Sequence, residues 1–227
     1  MGAKKLISLI LSSSLVLWVT TCKKDFSATN TSTKIESDVL IPLKVGNYWN
    51  YEATYYSSTD SVRYAVKERL TVHYEGHHYE AFFAAYNNAN PNPRWLYWNG
   101  ADGLYSMGGL SETDTMIFPV LQFKYPVEKG ETWEVSRMVY NLVEQRFYIK
   151  DTLTYTCIDN DSSIVTPSAT FQTVAYMFKV SQGDDVLLKE KHFFYYAPRI
   201  GLIKHEIKNE SGTLIKAKMV LYSYYLY

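Results

Sequence analysis

The chain carries no excess of charge of either sign: 23 basic residues stand against 23 acidic ones. A nucleic-acid binder shows a basic patch or stripe and a binder of anionic membranes a polybasic cluster; neither is present, so no nucleic-acid partner is expected. Catalytic motifs are missing as well. There is no His-Glu-x-x-His metal motif, no Gly-x-Ser-x-Gly elbow and no glycine loop of the kind that cradles phosphate. Helical periodicity is also lacking. No segment after residue 38 repeats its apolar residues every 3.6 positions, and only residues 108–125 leave room for a helix. Long apolar runs are scarce too: Leu6 to Val19 falls short of the ~20 residues a helix needs to cross a bilayer core.

That short run has telling flanks. Lys4 and Lys5 precede it, and Val19-Thr20-Thr21 lead straight into Cys22. The pattern resembles a bacterial lipoprotein signal, with residues 1–21 cleaved and Cys22 acylated as the first mature residue. Ordinary secretory cleavage that leaves Cys22 unmodified is the alternative. Removal of residues 1–21 takes away Lys4 and Lys5 and no acid, leaving 21 basic and 23 acidic residues. Cys157 is then the only other cysteine, so an acylated Cys22 leaves no intrachain disulfide. Residues 22–38 are polar, rich in Ser and Thr and without period, as expected of a tether between lipid and domain.

What the chain does have is strand chemistry. It is 47% hydrophobic and contains 21 tyrosines, large amphipathic rings that suit a pleated, half-wet surface. From Ser61 to Tyr74, Val62, Tyr64, Val66, Leu70, Val72 and Tyr74 fall in one row, broken only by Glu68. Glu75-Gly76 supplies a turn, and His78 to Tyr86 returns. Further strands are predicted at 94–98, 104–107, 133–140, 147–158, 172–180, 186–196, 202–208 and 213–225. Turns are expected at Asn99-Gly100, Asp102-Gly103, Asn160-Asp161, Gly183-Asp184 and Ser211-Gly212.

An internal echo divides this series. Pro42, Gly46 and Trp49 recur at one offset as Pro126, Gly130 and Trp133. Each set opens a run of strands: a bend at proline, a turn at glycine, then a tryptophan plugging the core. Residues 39–227 thus read as one antiparallel β domain, with candidate pseudo-repeat halves 39–125 and 126–227.

LKVGNYWNYE, KGETWEV, the Thr166–Phe171 step and FFYYAPRIGLIKHE form an ordered series over roughly residues 40–225. The series resembles a family of uncharacterised envelope lipoproteins of Bacteroidetes-type bacteria, including those labelled TapB-like. Ser168-Ala169 and Arg199 depart from the family pattern at two turns. The resemblance implies an all-β, half-barrel-like fold similar to periplasmic lipoprotein carriers, and no reaction.

The remaining constellations are weak. His73, His77 and His78 cluster at the Glu75-Gly76 turn, where alternation sends His77 and His78 to opposite faces; an exposed hairpin tip explains them, and no metal site is expected. Asp159, Asp161 and Ser163 open like a calcium loop but lack its closing acid, so they read as a turn. Cys157 falls in an apolar row and reads as core. Trp95, Tyr97 and Trp98 follow the loop Asn87–Pro93 and are the candidate ligand-binding residues, with Trp98 facing away from the other two. The expectation is an all-β protein, a strongly curved antiparallel sheet or half-barrel. It would be held in the cell envelope, at the outer membrane, through acylated Cys22. Its role would be noncatalytic, binding an apolar ligand or another envelope protein without a cofactor. A carbohydrate-binding accessory lipoprotein is the alternative.

Overall fold

The computed structural model describes residues 39–55, 58–86, 92–180, 190–213 and 215–227. Cys22, the expected signal peptide and tether, the expected Gly183-Asp184 turn and most of the Asn87–Pro93 segment lie outside the described residues. The described residues form twelve strands: β1 (Tyr48–Tyr55), β2 (Ser58–Tyr74), β3 (His77–Tyr86), β4 (Arg94–Gly100), β5 (Gly103–Leu110), β6 (Thr115–Lys124), β7 (Thr132–Asn141), β8 (Arg146–Val165), β9 (Thr170–Val180), β10 (Glu190–Ala197), β11 (Gly201–Asn209) and β12 (Ile215–Tyr225).

Strand after strand pairs antiparallel with its neighbour, and β12 returns to pair with β1. The edges of this single sheet are therefore β6 and β7, in the middle of the sequence. They approach each other, so the sheet is all-β and nearly closed into a barrel. Side chains, not a ladder, hold the seam: Asp114 accepts the Phe147 amide at 2.7 Å, Lys124 pairs with Glu131, and the Tyr176 hydroxyl donates to the Lys124 carbonyl at 2.6 Å. Pro119 sits in β6, where an edge strand tolerates the missing donor.

Two sequence expectations need correction. Residues 108–125 hold no helix among the described residues; β6 occupies most of them. Its pairing with β5 slips at Leu104/Tyr105 and again at Ser106/Gly108, and such bulges erase the period-two pattern. Gly108 (φ 108°) makes the second slip feasible, because a Cβ there would lie 2.0 Å from the Met116 carbonyl oxygen. Asn160-Asp161 is no turn either. β8 continues through it to Val165, with irregular pairing to β9 at Cys157/Asp159 and Asp159/Ser162.

β2 also differs from its sequence reading. Val62, Tyr64 and Val66 do share a face, but a bulge between Val66 and Glu68 inverts the pleat. Val62 and Val66 pack with Trp49, Tyr51 and Leu221 inside the barrel. Leu70 and Val72 instead join Ala81, Phe83, Leu96, Tyr105 and Met107 on the reverse face. One apolar row thus serves two cores, and β5 is buried on both faces. The main interior core adds Leu153, Tyr155, Cys157, Tyr176, Phe178 and Phe194 around Phe123.

The two echoed tryptophans open β1 and β7 in unlike surroundings. Trp49 is 4% exposed, donates its indole N–H to the Ile200 carbonyl and packs on Gly201. Trp133 is half-buried and stacks on Tyr155 with centroids 5.6 Å apart.

Candidate functional site

The barrel interior is not filled completely. It holds a mostly apolar, partly open cavity of about 100 Å³. Inward positions of strands from both halves form its wall, among them Leu104, Phe123, Phe194 and Met219. Their placement follows from pleat geometry, which turns alternate residues of each strand inward.

A strap of chain preceding β1 lies against the cavity. Val39 accepts a hydrogen bond from the Arg199 amide at 2.8 Å, and Ile41 accepts one from the Asn99 side chain at 2.8 Å. Asn47 donates to the Pro42 carbonyl at 2.7 Å. These bonds satisfy an otherwise irregular backbone. Leu40 is fully buried beneath it, and Ile41 and Leu43 face the cavity.

A few polar groups interrupt the apolar lining. Tyr51 donates to the Leu202 carbonyl at 3.0 Å. The Tyr97 hydroxyl is buried and has no hydrogen-bond partner among the described residues. Gln122 also lines the cavity and approaches the Tyr155 hydroxyl without reaching hydrogen-bond geometry. Burial pushes the Tyr51, Tyr97 and Tyr196 hydroxyls far above the usual tyrosine range, so they stay protonated donors.

His205 lines the same cavity and belongs to a stack of four rings from β9, β10 and β11. Phe178 lies 4.3 Å from His192, His192 lies 5.5 Å from His205, and Phe194 lies 4.3 Å from His205. The His192 Nδ1 and His205 Nε2 atoms are 3.4 Å apart. Burial lowers the pKa of both rings; His192 lowers that of His205 further, while Glu190 opposes the shift at His192. Glu190 is 3.7 Å from His192 and bonded to Lys216 at 3.0 Å. On the neighbouring strands Arg137 and Asp151 form an ion pair with side chains 2% and 8% exposed.

The sequence-predicted ligand residues do not converge. Tyr97 reaches the cavity. Trp95 shares the interior core but packs edge-on against Phe147 at 5.4 Å. Trp98 faces the reverse core, between Tyr79 and Tyr105. His73 and His78 stand opposite each other at the β2–β3 tip, rings 4.3 Å apart, and His77 pairs with Tyr74. Among the described residues, no three His, Cys, Asp or Glu side chains gather as metal ligands. Cys157 is fully buried, and burial pushes its thiol up. Sequence reading missed Gln122 and His205 as cavity residues. His205 had a sign, its alternation with Ile203 and Ile207; Gln122 had none, because the β5–β6 bulges obscure its face.

No family model matches the chain, and no curated protein matches it. Two solved structures are similar to it. One is a candidate exported protein with a YmcC-like fold from Bacteroides fragilis, with 12% identity over 83% of this chain and 100% of that one, and a TM-score of 0.49. The other is a candidate lipoprotein from Parabacteroides distasonis, with 13% identity over 83% of this chain and 99% of that one, and a TM-score of 0.44.

Proposed function

We propose that the protein is a noncatalytic envelope lipoprotein, anchored at the outer membrane through acylated Cys22, that holds an apolar group inside its barrel. The cavity carries this reading. Small-molecule sites are concave and mostly apolar, with a few polar groups that fix orientation, and the described interior has that composition. The guest must be small. An apolar cavity of roughly 150 Å³ accepts benzene, so about 100 Å³ in a partly open pocket suits the end of a chain or a ring that is only partly inserted. The strap containing Ile41 and Leu43 covers this space and continues directly into the segment that leads back to Cys22. The sequence resemblance to Bacteroidetes-type envelope lipoproteins supports the address. Sugar binding at Trp98 finds less support, since its ring already packs between two tyrosines.

The test follows the Met219 methyl group, which lines the cavity, by NMR during titration with methylcyclohexane. Saturable shifts are expected in the wild type, and Ala84→Phe, which fills the cavity, should weaken binding at least tenfold. No saturable shift in the wild type, or equal binding by the folded variant, contradicts the reading.

A further inference from the structure

Tyr97 poses a question that packing does not answer. Its ring fills a place that phenylalanine would fill equally well, as Phe123 and Phe194 do nearby in the same wall. Its hydroxyl is buried and has no hydrogen-bond partner among the described residues, and an orphaned buried hydroxyl destabilises a fold. Two neighbouring interior tyrosines are satisfied, Tyr51 donating to Leu202 and Tyr176 to Lys124; the Tyr155 hydroxyl is orphaned as well, but of these two orphans only Tyr97 lines the cavity. The Tyr97 hydroxyl also lies within electrostatic reach of those of Tyr155 and Tyr196.

We infer that the cavity is shaped for a neutral guest bearing one hydrogen-bond-accepting oxygen, a carbonyl or ether class of ligand, which the Tyr97 hydroxyl receives. This rests on the proposed cavity reading and adds the polar half of the ligand. Three observations favour a neutral oxygen over a carboxylate. The buried cation of the interior, Arg137, is already paired with Asp151. Lys124 is paired with Glu131. Burial keeps His205 uncharged. A carboxylate would enter this space without a counter-charge, and desolvating it would oppose binding strongly. A ketone or ester oxygen loses little on leaving water and gains the Tyr97 hydroxyl, a cavity-lining donor that lacks a partner among the described residues.

The experiment compares cyclohexanone, methylcyclohexane and cyclohexanecarboxylate at pH 8, in wild type and Tyr97→Phe. The substitution should weaken cyclohexanone roughly threefold to tenfold, the worth of one neutral hydrogen bond. It should leave methylcyclohexane unchanged or tighter, because it removes the orphan. Cyclohexanecarboxylate should bind more weakly than cyclohexanone throughout. Equal effects on the ketone and the hydrocarbon, or a carboxylate that binds as tightly as the ketone, overturn the inference while leaving the cavity reading intact. Failure of methylcyclohexane to bind the wild type counts against the cavity reading itself. If no probe binds, both fall. The carbonyl stretch of bound cyclohexanone gives a readout independent of the variant. It should move to lower frequency in the wild type, and an unshifted band overturns the inference.

Discussion

Lowering the pH should destabilise this protein well before its carboxylates protonate. His192 and His205 are fully buried at the centre of the ring stack. Burial depresses both, and the adjacent ring depresses His205 further. A depressed folded pKa means that the unfolded chain binds protons first. The stability from two neutral rings is therefore present above about pH 6.5, the unfolded value, and is lost as pH falls below it. If both rings stay neutral throughout, each contributes a loss of RT ln(1 + 10^(6.5−pH)), about 1.4 kcal/mol per ring between pH 7.5 and 5.5. The pair then sets an upper limit of about 2.7 kcal/mol, or a Tm decrease of about 5–11 °C for a domain of this size. Glu190 faces His192, and Lys216 in turn holds Glu190. Arg137 acts on the same ring and is balanced by Asp151. Burial works against the Glu190 carboxylate, yet His192 and Lys216 hold its pKa below the ordinary value, so its own loss begins at lower pH. The assay is calorimetric or denaturant unfolding across this range for wild type and for His192→Phe with His205→Phe, which continues the aromatic stack. The double variant should flatten the profile, leaving exposed His73, His77 and His78 in place. A flat wild-type profile, or an unchanged slope in the double variant, refutes the reasoning.

Arg137→Met alone strands the Asp151 carboxylate and should cost about 3–5 kcal/mol, whereas adding Asp151→Leu should restore most of it. Additive losses in urea unfolding would count against a coupled buried pair. Trp49→Ala removes a buried indole and its bond to Ile200 and should cost ~3–5 kcal/mol. The half-buried Trp133→Ala should cost less, and equal losses would mean that the two sites are more alike than their packing suggests. Cys22→Ser should release the protein from envelope membranes or leave an uncleaved precursor; unchanged retention with normal processing would exclude lipidation.

Much of the fold was legible because period-two alternation is hard to mistake where a strand is regular. The strand over Ser61–Tyr74, the Glu75-Gly76 turn and the burial of Cys157 were all readable for that reason. Legibility failed where a bulge intervened. The slip between Val66 and Glu68 turned one row into two cores, and the slips opposite β5 hid β6 altogether. The Asn160-Asp161 pair looked like a turn, yet ladder bonds on both sides keep it extended. The candidate site was less legible still. Trp95 and Trp98 are more conspicuous in sequence than Tyr97, but only Tyr97 lines the cavity. His205 and Gln122 reach that space through closure of the sheet, a long-range event that no local pattern encodes.

The central claim is that the barrel interior is a ligand site, and anomalous diffraction tests it most directly. Crystals grown with bromocyclohexane should show a bromine peak inside the barrel, between Leu104, Phe194 and Met219. A peak confined to the outer surface, with the interior unchanged at saturating ligand, would contradict the account.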